Sequence, residues 1–443
     1  MRFSRNCLFS RAMAIRNGRS WEDLSHRPGE SAHPVPMQAD GTALDPGLNR
    51  TDTKPLNHTR RKALLAACVA HVLHDGYTDL IYVMLPIWQT QFRIGYGCLA
   101  IIRALYLGAT AGLQLPANSL AERFGSKVVL LFGTVIAATG YGLAGLSGGL
   151  LGLCAALILA GAGSSTQHPI GSGIVSRAFG QSTRGPLGIY NFAGDLGKAA
   201  LPGGTSLLLI VLPWHVALWA IAILGLAVAI FIALLLPATN RRPSRILAES
   251  KNASSGGQGF ALLFVIGVLD TGVRMGLLIF LPFILKAKGA SLPMIGVALA
   301  IVFIGGAAGK FICGWLGAQV GVLWSVLLTE GATALAILVV LVLPLWPTFI
   351  MLLLLGALLN GTSSVLYGTV PEVASADQTE RAFAIFYTGT IGSGAIFPIL
   401  YGFLGDVVGI NWATLSTALT ALMIIPLAFR LAPKLPKINN RAA

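Results

Sequence analysis

The sequence predicts an all-α polytopic membrane protein with about twelve transmembrane helices in two six-helix repeats, and three observations carry that prediction. Charge is scarce: 11% of the residues are charged and 55% are hydrophobic, against roughly 25% charged in a soluble domain. Apolar stretches long enough to cross a hydrocarbon core of about 30 Å recur from Lys62 onward. Three motifs of the first half also return, in the same order, in the second. A chain so poor in charge cannot coat a water-facing surface of its size, whereas lipid asks for no such coat.

The formal net charge of +14 takes its meaning from where the basic residues fall. A nucleic-acid binder clusters Lys and Arg on one element. Here they sit in short segments between apolar stretches, which argues against nucleic acid as a partner. Five cysteines (Cys7, Cys68, Cys98, Cys154 and Cys313) lie far apart with no CxxC pair. They predict small buried apolar side chains, with neither a disulfide framework nor a metal site. No GxxxxGK[ST] loop occurs, so direct ATP drive is not expected.

Residues 1–61 are polar and rich in Arg, Pro and Gly, which predicts a disordered cytoplasmic tail. Their first twenty residues are Arg-rich and free of acids, as in an organelle transit peptide, and Met37 offers an alternative start ahead of the whole hydrophobic region. The first half, 62–237, divides into predicted spans at 63–91, 97–120, 127–146, 149–177, 185–211 and 214–237. The break at 238–258 is basic and rich in Ser and Gly, and it predicts a cytoplasmic linker. The second half, 259–432, divides into 259–286, 292–317, 321–343, 347–374, 381–404 and 411–432, with a tail at 433–443.

With both termini in the cytoplasm, the inside segments hold Arg123, Lys127, Arg177, Arg184, Arg241, Arg242, Arg245, Lys251, Arg381 and the basic tails. The outside segments then hold only Arg93, Lys286 and Lys288. That imbalance supports an even number of spans with both ends inside, in the cell inner membrane.

The repeat is visible in aligned pieces. GSSTQHPIGSGIVSRA (163–178) lies against TSSVLYGTVPEVASAD (362–377), which sets His168 opposite Tyr367. RGPLGIYNFAGDLG (184–197) lies against RAFAIFYTGTIGSG (381–394), pairing Arg184 with Arg381 and Tyr190 with Tyr387. Asp75, Asp79 and Pro86 answer to Asp270, Arg274 and Pro282 with one residue of slip. Parallel six-helix repeats that hold a substrate between them are a transporter plan.

These features resemble the major facilitator superfamily. LAERFGSK (120–127), between predicted spans 2 and 3, is similar to that family's loop signature Gly-x3-Asp-Arg/Lys-x-Gly-Arg/Lys. Asn118 stands for the first Gly and Glu122 for the Asp, while Arg123, Gly125 and Lys127 fit. The matching loop of the second half, GWLGAQVG (314–321), keeps Gly and loses the charges. GAGSSTQHP (161–169), GDLGKAALP (194–202) and PEVASADQTERAFAIFY (371–387) further resemble the fosmidomycin-resistance branch. The resemblance implies the major facilitator fold, a monomer, and proton-driven export of a drug.

Charge inside a span marks the candidate site, because a charged group at the bilayer centre costs at least about 2.5–3.5 kcal/mol. In HVLHDGYTD (71–79), a rotation of about 100° per residue puts His71, Asp75 and Asp79 on one face with His74 beside them. Carboxylates one turn apart repel when both are ionised, and imidazoles titrate near neutral pH. The cluster could therefore bind and release a proton, or hold its helix to its neighbours as a polar network. Asp195 and Lys198, spaced i,i+3, and Asp270 and Arg274, spaced i,i+4, are each placed to pair. Each pair is either a structural bridge or a site where an anionic or zwitterionic substrate displaces the carboxylate and binds Lys198 or Arg274.

Arg103 and Lys310 occupy similar places in the two halves and either line the cavity or snorkel to an interface. His168, ahead of Pro169, and Tyr190, Asn191, Tyr367 and Tyr387 are further cavity candidates. Glu122, Arg123, Lys127, Glu372 and Arg381 are candidates for gating contacts at the inner ends of the spans.

The sequence thus predicts a proton-coupled secondary transporter, with a lipid bilayer, protons and a small molecule as its partners and no cofactor. Export of a drug-like or anionic metabolite leads, and uptake of a small organic anion is the alternative. The rival from another class is an intramembrane enzyme holding a metal over a lipid diphosphate through HxxHDxxxD. It lacks a second acidic motif, since Asp270 lies beside Arg274.

Overall fold

The structure, a computed structural model, describes residues 53–236, 257–374 and 379–435. Residues 1–52, most of the predicted linker and the last eight residues lie outside the described part. The first helix, α1 (Thr53–Phe92), already includes 53–61, so the end of the predicted tail is helical.

The first half continues with α2 (Tyr96–Gly112), α3 (Gln114–Phe124), α4 (Ser126–Leu146), α5 (Leu150–Ser164), α6 (Gln167–Phe179), α7 (Arg184–Val211) and α8 (Trp214–Leu235). The second half comprises α9 (Gln258–Ala287), α10 (Leu292–Val342), α11 (Leu345–Val373), α12 (Thr379–Val408) and α13 (Ile410–Leu431). Among the described residues, eight helices are long and apolar enough to cross a membrane, taking α5 and α6 together, and the bent pair α2–α3 adds a ninth. α1 and α7 have the length, but ionisable residues interrupt their apolar runs: buried ones in α1 and the half-buried Asp195 and Lys198 in α7. α10 is two spans joined at Gly321. The bundle is the twelve-helix, two-repeat arrangement that the sequence predicts.

Local chemistry explains the breaks. Span 2 bends by 41° between α2 and α3, where Pro116 has no N–H to return to the preceding turn. Gly125 (φ 90°) turns α3 into α4, and Gly321 (φ 83°) makes the corresponding turn inside α10. Both need the left-handed region that glycine enters without penalty. Span 4 pauses at Ser165 and Thr166, whose hydroxyls bond back to Ala162 and Gly163 carbonyls. Pro169 then falls in the first turn of α6, where a missing N–H costs nothing.

The repeat extends to packing. α1 packs on α7, α2 on α5 and α4 on α8; their second-half equivalents are α9 on α12, α10 on α11 and α10 on α13. The halves meet through α2 with α12 and α7 with α10. At the end away from the described chain ends, Asp406 of α12 accepts the N–H groups of Tyr96 (2.6 Å) and Gly97 (3.0 Å) at the start of α2. The Tyr96 ring meets Phe280 and Phe283 edge-on, at 5.8 and 5.0 Å between centroids. The first helices of the two repeats are the most buried. Large apolar side chains such as Ile210, Leu234, Phe311 and Ile350 are exposed on the outside, where lipid would cover them.

Helices cross closely where glycine removes the side chain. A Cβ at Gly197 would run into the backbone of Val72, and one at Gly356 into that of Val302. Gly197→Val or Gly356→Leu must therefore push two helices apart, at a cost of at least about 1–3 kcal/mol. Both variants should unfold at lower temperature than the parent in detergent. Gly331→Ala, with nothing within 4 Å of the new methyl, should unfold like the parent.

Candidate functional site

A cavity of about 530 Å³ lies between the two halves. The first half contributes Asp75, Asp79, Arg103, His168, Asn191 and Lys198, and the second contributes Arg274, Lys310, Asn360, Ser363, Tyr367 and Tyr387. Its exposed members, Asn191 and Tyr387, lie near the starts of α7 and α12, so the cavity opens towards the end that holds the described chain ends.

Asp75 organises the first-half wall. Its Oδ2 lies 3.3 Å from His71 Nε2 and 3.3 Å from Lys198 Nζ, and its Oδ1 lies 3.6 Å from His168 Nε2. His71 is fixed from behind, because its Nδ1 is 2.8 Å from the Tyr190 carbonyl and its ring stacks on the Tyr190 ring at 4.1 Å. A carbonyl only accepts, so Nδ1 carries a hydrogen, and in a neutral imidazole Nε2 then faces Asp75 as a bare lone pair. Favourable contact between the two needs one proton, on the imidazole or on the carboxyl.

From Asp75 the charges alternate across the cavity. Lys198 Nζ is also 3.3 Å from Asp195 Oδ1, the i,i+3 contact that the spacing allows. Lys310 Nζ, on α10, is 2.7 Å from both Asp195 oxygens. The run Asp75–Lys198–Asp195–Lys310 thus starts on α1 and ends in the other half. Arg103 sits near the floor, 4.0 Å from Asp79, 3.6 Å from Met275 Sδ and over the Tyr82 ring at 4.4 Å.

Other predicted residues are placed differently. Asp270 and Arg274 do not form the expected ion pair: Arg274 Nη1 reaches Asn360 Oδ1 (3.3 Å) and Ser363 Oγ (3.4 Å) instead. Asp270 is buried away from the cavity, beside the equally buried Glu330 of α10. His74 also leaves the cavity. Thr134 gives its hydroxyl hydrogen to the Leu130 carbonyl, so His74 Nε2 donates to it (3.1 Å), and Nδ1 meets the Ser164 hydroxyl at 3.1 Å. That network satisfies a neutral imidazole completely. Tyr190 lies behind His71 rather than on the cavity wall, whereas its repeat partner Tyr387 faces the cavity.

Glu122, Arg123 and Lys127 sit at the α3–α4 turn, and Glu122 accepts from Asn118 of its own helix at 3.4 Å. Glu372 is exposed near the end of α11, and Arg381 is exposed near the start of α12. The sequence reading passes over Glu330, Asn360, Ser363 and Asp406. Glu330 had a signal, as an acid inside the apolar stretch 321–343. The others are small polar residues or lie at a helix end, where sequence marks nothing.

His71, Asp75 and His168 bring three potential ligand atoms within 4.8 Å of one another. A metal ion there would have to displace the Lys198 ammonium from Asp75. The set suits protons and ammonium groups better than a divalent ion.

The sequence matches the family profile of the Major Facilitator Superfamily over residues 67–262 and again over 263–443. It is 26% identical over 349 residues to monocarboxylate transporter 11 of Homo sapiens, covering 76% of this chain and 67% of that protein. It is 28% identical over 236 residues to the cephamycin export protein CmcT of Amycolatopsis lactamdurans, covering 51% of this chain and 47% of CmcT. The chain thus spans about half the length of that exporter. Among solved structures it resembles a bacterial homolog of the human lysosomal transporter Spinster, inward-facing and unoccupied. The TM-score is 0.70 at 15% identity, over 85% of this chain and 98% of that one. The nucleoside transporter NupG, solved as a mutant, aligns with a TM-score of 0.71 at 14% identity, over 85% and 99% of the two chains. These structural likenesses speak for the fold alone. Two profile matches cover the two repeats almost end to end, and the chain belongs to the major facilitator superfamily, as a membrane transporter and not an enzyme.

Proposed function

We propose that the chain is a proton-coupled exporter of a small drug-like or metabolic anion, working by alternating access in the inner membrane with both termini in the cytoplasm. The observation that carries this reading is the alternating run Asp75–Lys198–Asp195–Lys310, which joins the halves across the cavity. An anion entering the cavity competes with Asp195 for Lys310 and Lys198, and Arg274 offers a guanidinium so far held only by neutral groups. Substrate binding and the link between halves are then exclusive, which is what alternating access requires.

Asp75 provides the coupling. Ionised, it holds Lys198; protonated, it releases Lys198 to Asp195 and weakens that carboxylate's hold on Lys310. The basic loops on the terminal side support the orientation. The names of the two relatives, one for monocarboxylates and one for cephamycin, support an organic acid as cargo. Resemblance to the fosmidomycin-resistance branch adds fosmidomycin to the candidates. The monocarboxylate relative also keeps uptake of an organic anion as a second reading.

Everted vesicles energised to make a pH gradient, with a pH-sensitive dye, test the proposal. Fosmidomycin, cephamycins and monocarboxylates would be added in turn. One of them should dequench the dye with the native protein and not with Asp75→Asn. If none does and labelled monocarboxylate accumulates in whole cells, the direction is uptake. If neither assay responds, the proposal fails.

The inter-half link has its own test. The Lys310 side chain is 36% exposed, so losing its partner costs less than the about 3–5 kcal/mol of a fully buried pair; Lys310→Gln should cut transport by roughly tenfold, about 1.4 kcal/mol being a factor of ten. Combining Asp195→Lys with Lys310→Asp restores the pair, and should recover part of the folding stability lost in either single variant. An additive loss in the double variant would remove the link from the mechanism.

A further inference from the structure

Arg274 and Asp270 stand one helical turn apart on α9, yet the ion pair between them is unmade. Arg274 Nε is buried without a hydrogen-bond partner, and so is Asp270 Oδ2. An acceptor and a donor of opposite charge, spaced i,i+4, would normally close on each other. Arg274 is instead turned to the cavity and to the neutral acceptors Asn360 and Ser363.

The reason lies behind Asp270. Its carboxyl lies beside that of Glu330 on α10. Asp270 is 4% exposed and Glu330 2%. Buried side by side they cannot both be ionised. The charged and titratable groups facing the pair are Arg274 on their own side of α9 and Tyr367 on α11; Ser393 of α12 is occupied by the Val268 carbonyl.

We propose that Asp270 and Glu330 form a proton-binding site in the second half, separate from Asp75, and that its proton sets the position of Arg274. With one proton shared, the pair exerts little pull on the guanidinium, which stays at Asn360 and Ser363 and presents a positive charge to the cavity. When the proton leaves, the second carboxylate charge draws Arg274 back along its own helix. Its buried Nε–H then meets Asp270 Oδ2, and the cavity loses a cation. An anion and the deprotonated pair thus compete for one arginine. The proton is the only species exchanged, and no covalent bond changes.

Infrared difference spectra of the purified full-length protein in detergent, stepped in pH in H2O and in D2O, read this site without any substrate. The native protein should show a carboxylic-acid carbonyl band that shifts in D2O. Asp270→Asn and Glu330→Gln should each remove or displace that band, while Asp75→Asn leaves it in place. In Arg274→Gln the band should survive to higher pH, because the cation that compensates deprotonation is gone. If both amide variants leave the band unchanged, or only one alters it, the shared site is overturned. An unmoved titration in Arg274→Gln overturns the coupling to arginine. Should the amide variants fail to fold, Asp270→Glu and Glu330→Asp keep two carboxyls, and a band frequency indifferent to both would likewise overturn the site. Because the readout requires no transport, its failure leaves the Asp75 proposal standing, and failure of dye dequenching leaves this one.

Discussion

Charge placed inside a lipid-embedded bundle has to be neutralised where it stands, and the cavity is organised around that demand. Each of its acids and bases has a partner that is either a counter-charge or a set of dipoles. Asp75 has Lys198 and two imidazoles; Asp195 has Lys198 and Lys310; Arg103 has the Tyr82 face and Asp79. Such partners cost entropy and geometry to hold, and the protein meets that cost with the most buried part of the bundle. His74, Tyr77, Tyr106 and Tyr141 interlock behind Asp75 through Ser164 and backbone carbonyls, so α1 has little freedom to turn its acids elsewhere.

The halves are also packed against each other. Between them, apolar contacts such as the Tyr96 ring against Phe280 and Phe283 are joined by two polar links, the Lys310–Asp195 ion pair and a carboxylate capping a helix start at the closed end. Asp406 satisfies two N–H groups that the first turn of α2 leaves free, and the positive end of the helix dipole favours its charge there. Contacts of this sort are strong when made and cheap to break into water, unlike interlocked apolar surfaces. Close crossings at glycine occur within the halves, as at Gly197 against Val72, and also between them, as where Gly402 of α12 meets the backbone of Tyr96 and Gly97.

The two halves treat the same charge problem differently. In the first, a carboxylate near the cavity is balanced by an ammonium, and the imidazoles beside it are held from behind. In the second, the corresponding acid on α9 is turned away from the cavity towards Glu330, and the arginine beside it faces the cavity with only amide and hydroxyl partners. Duplication kept the helix packing and let the polar chemistry diverge. Tyr190 and Tyr387 show the same divergence, one supporting a histidine and the other facing the cavity.

Sequence alone determined the class of fold, the repeat and most of the candidate residues, because lipid imposes a one-dimensional rule. Apolar runs of sufficient length must cross, and ionisable residues inside them must have a reason to be there. Asp75, Asp79, Lys198, Arg274 and Lys310 all stand out under that rule, and all line the cavity. Helical spacing also allowed Asp195 to pair with Lys198. Only the tertiary structure decided which partner each charge takes. Asp270 to Arg274 and Asp270 to Glu330 are both sterically available, and the choice depends on how α9 and α10 are rotated against each other. Lys310 meets Asp195 across 115 residues of chain, and Asp406 meets Tyr96 across 310. Contacts of that range follow from packing, and no local periodicity encodes them.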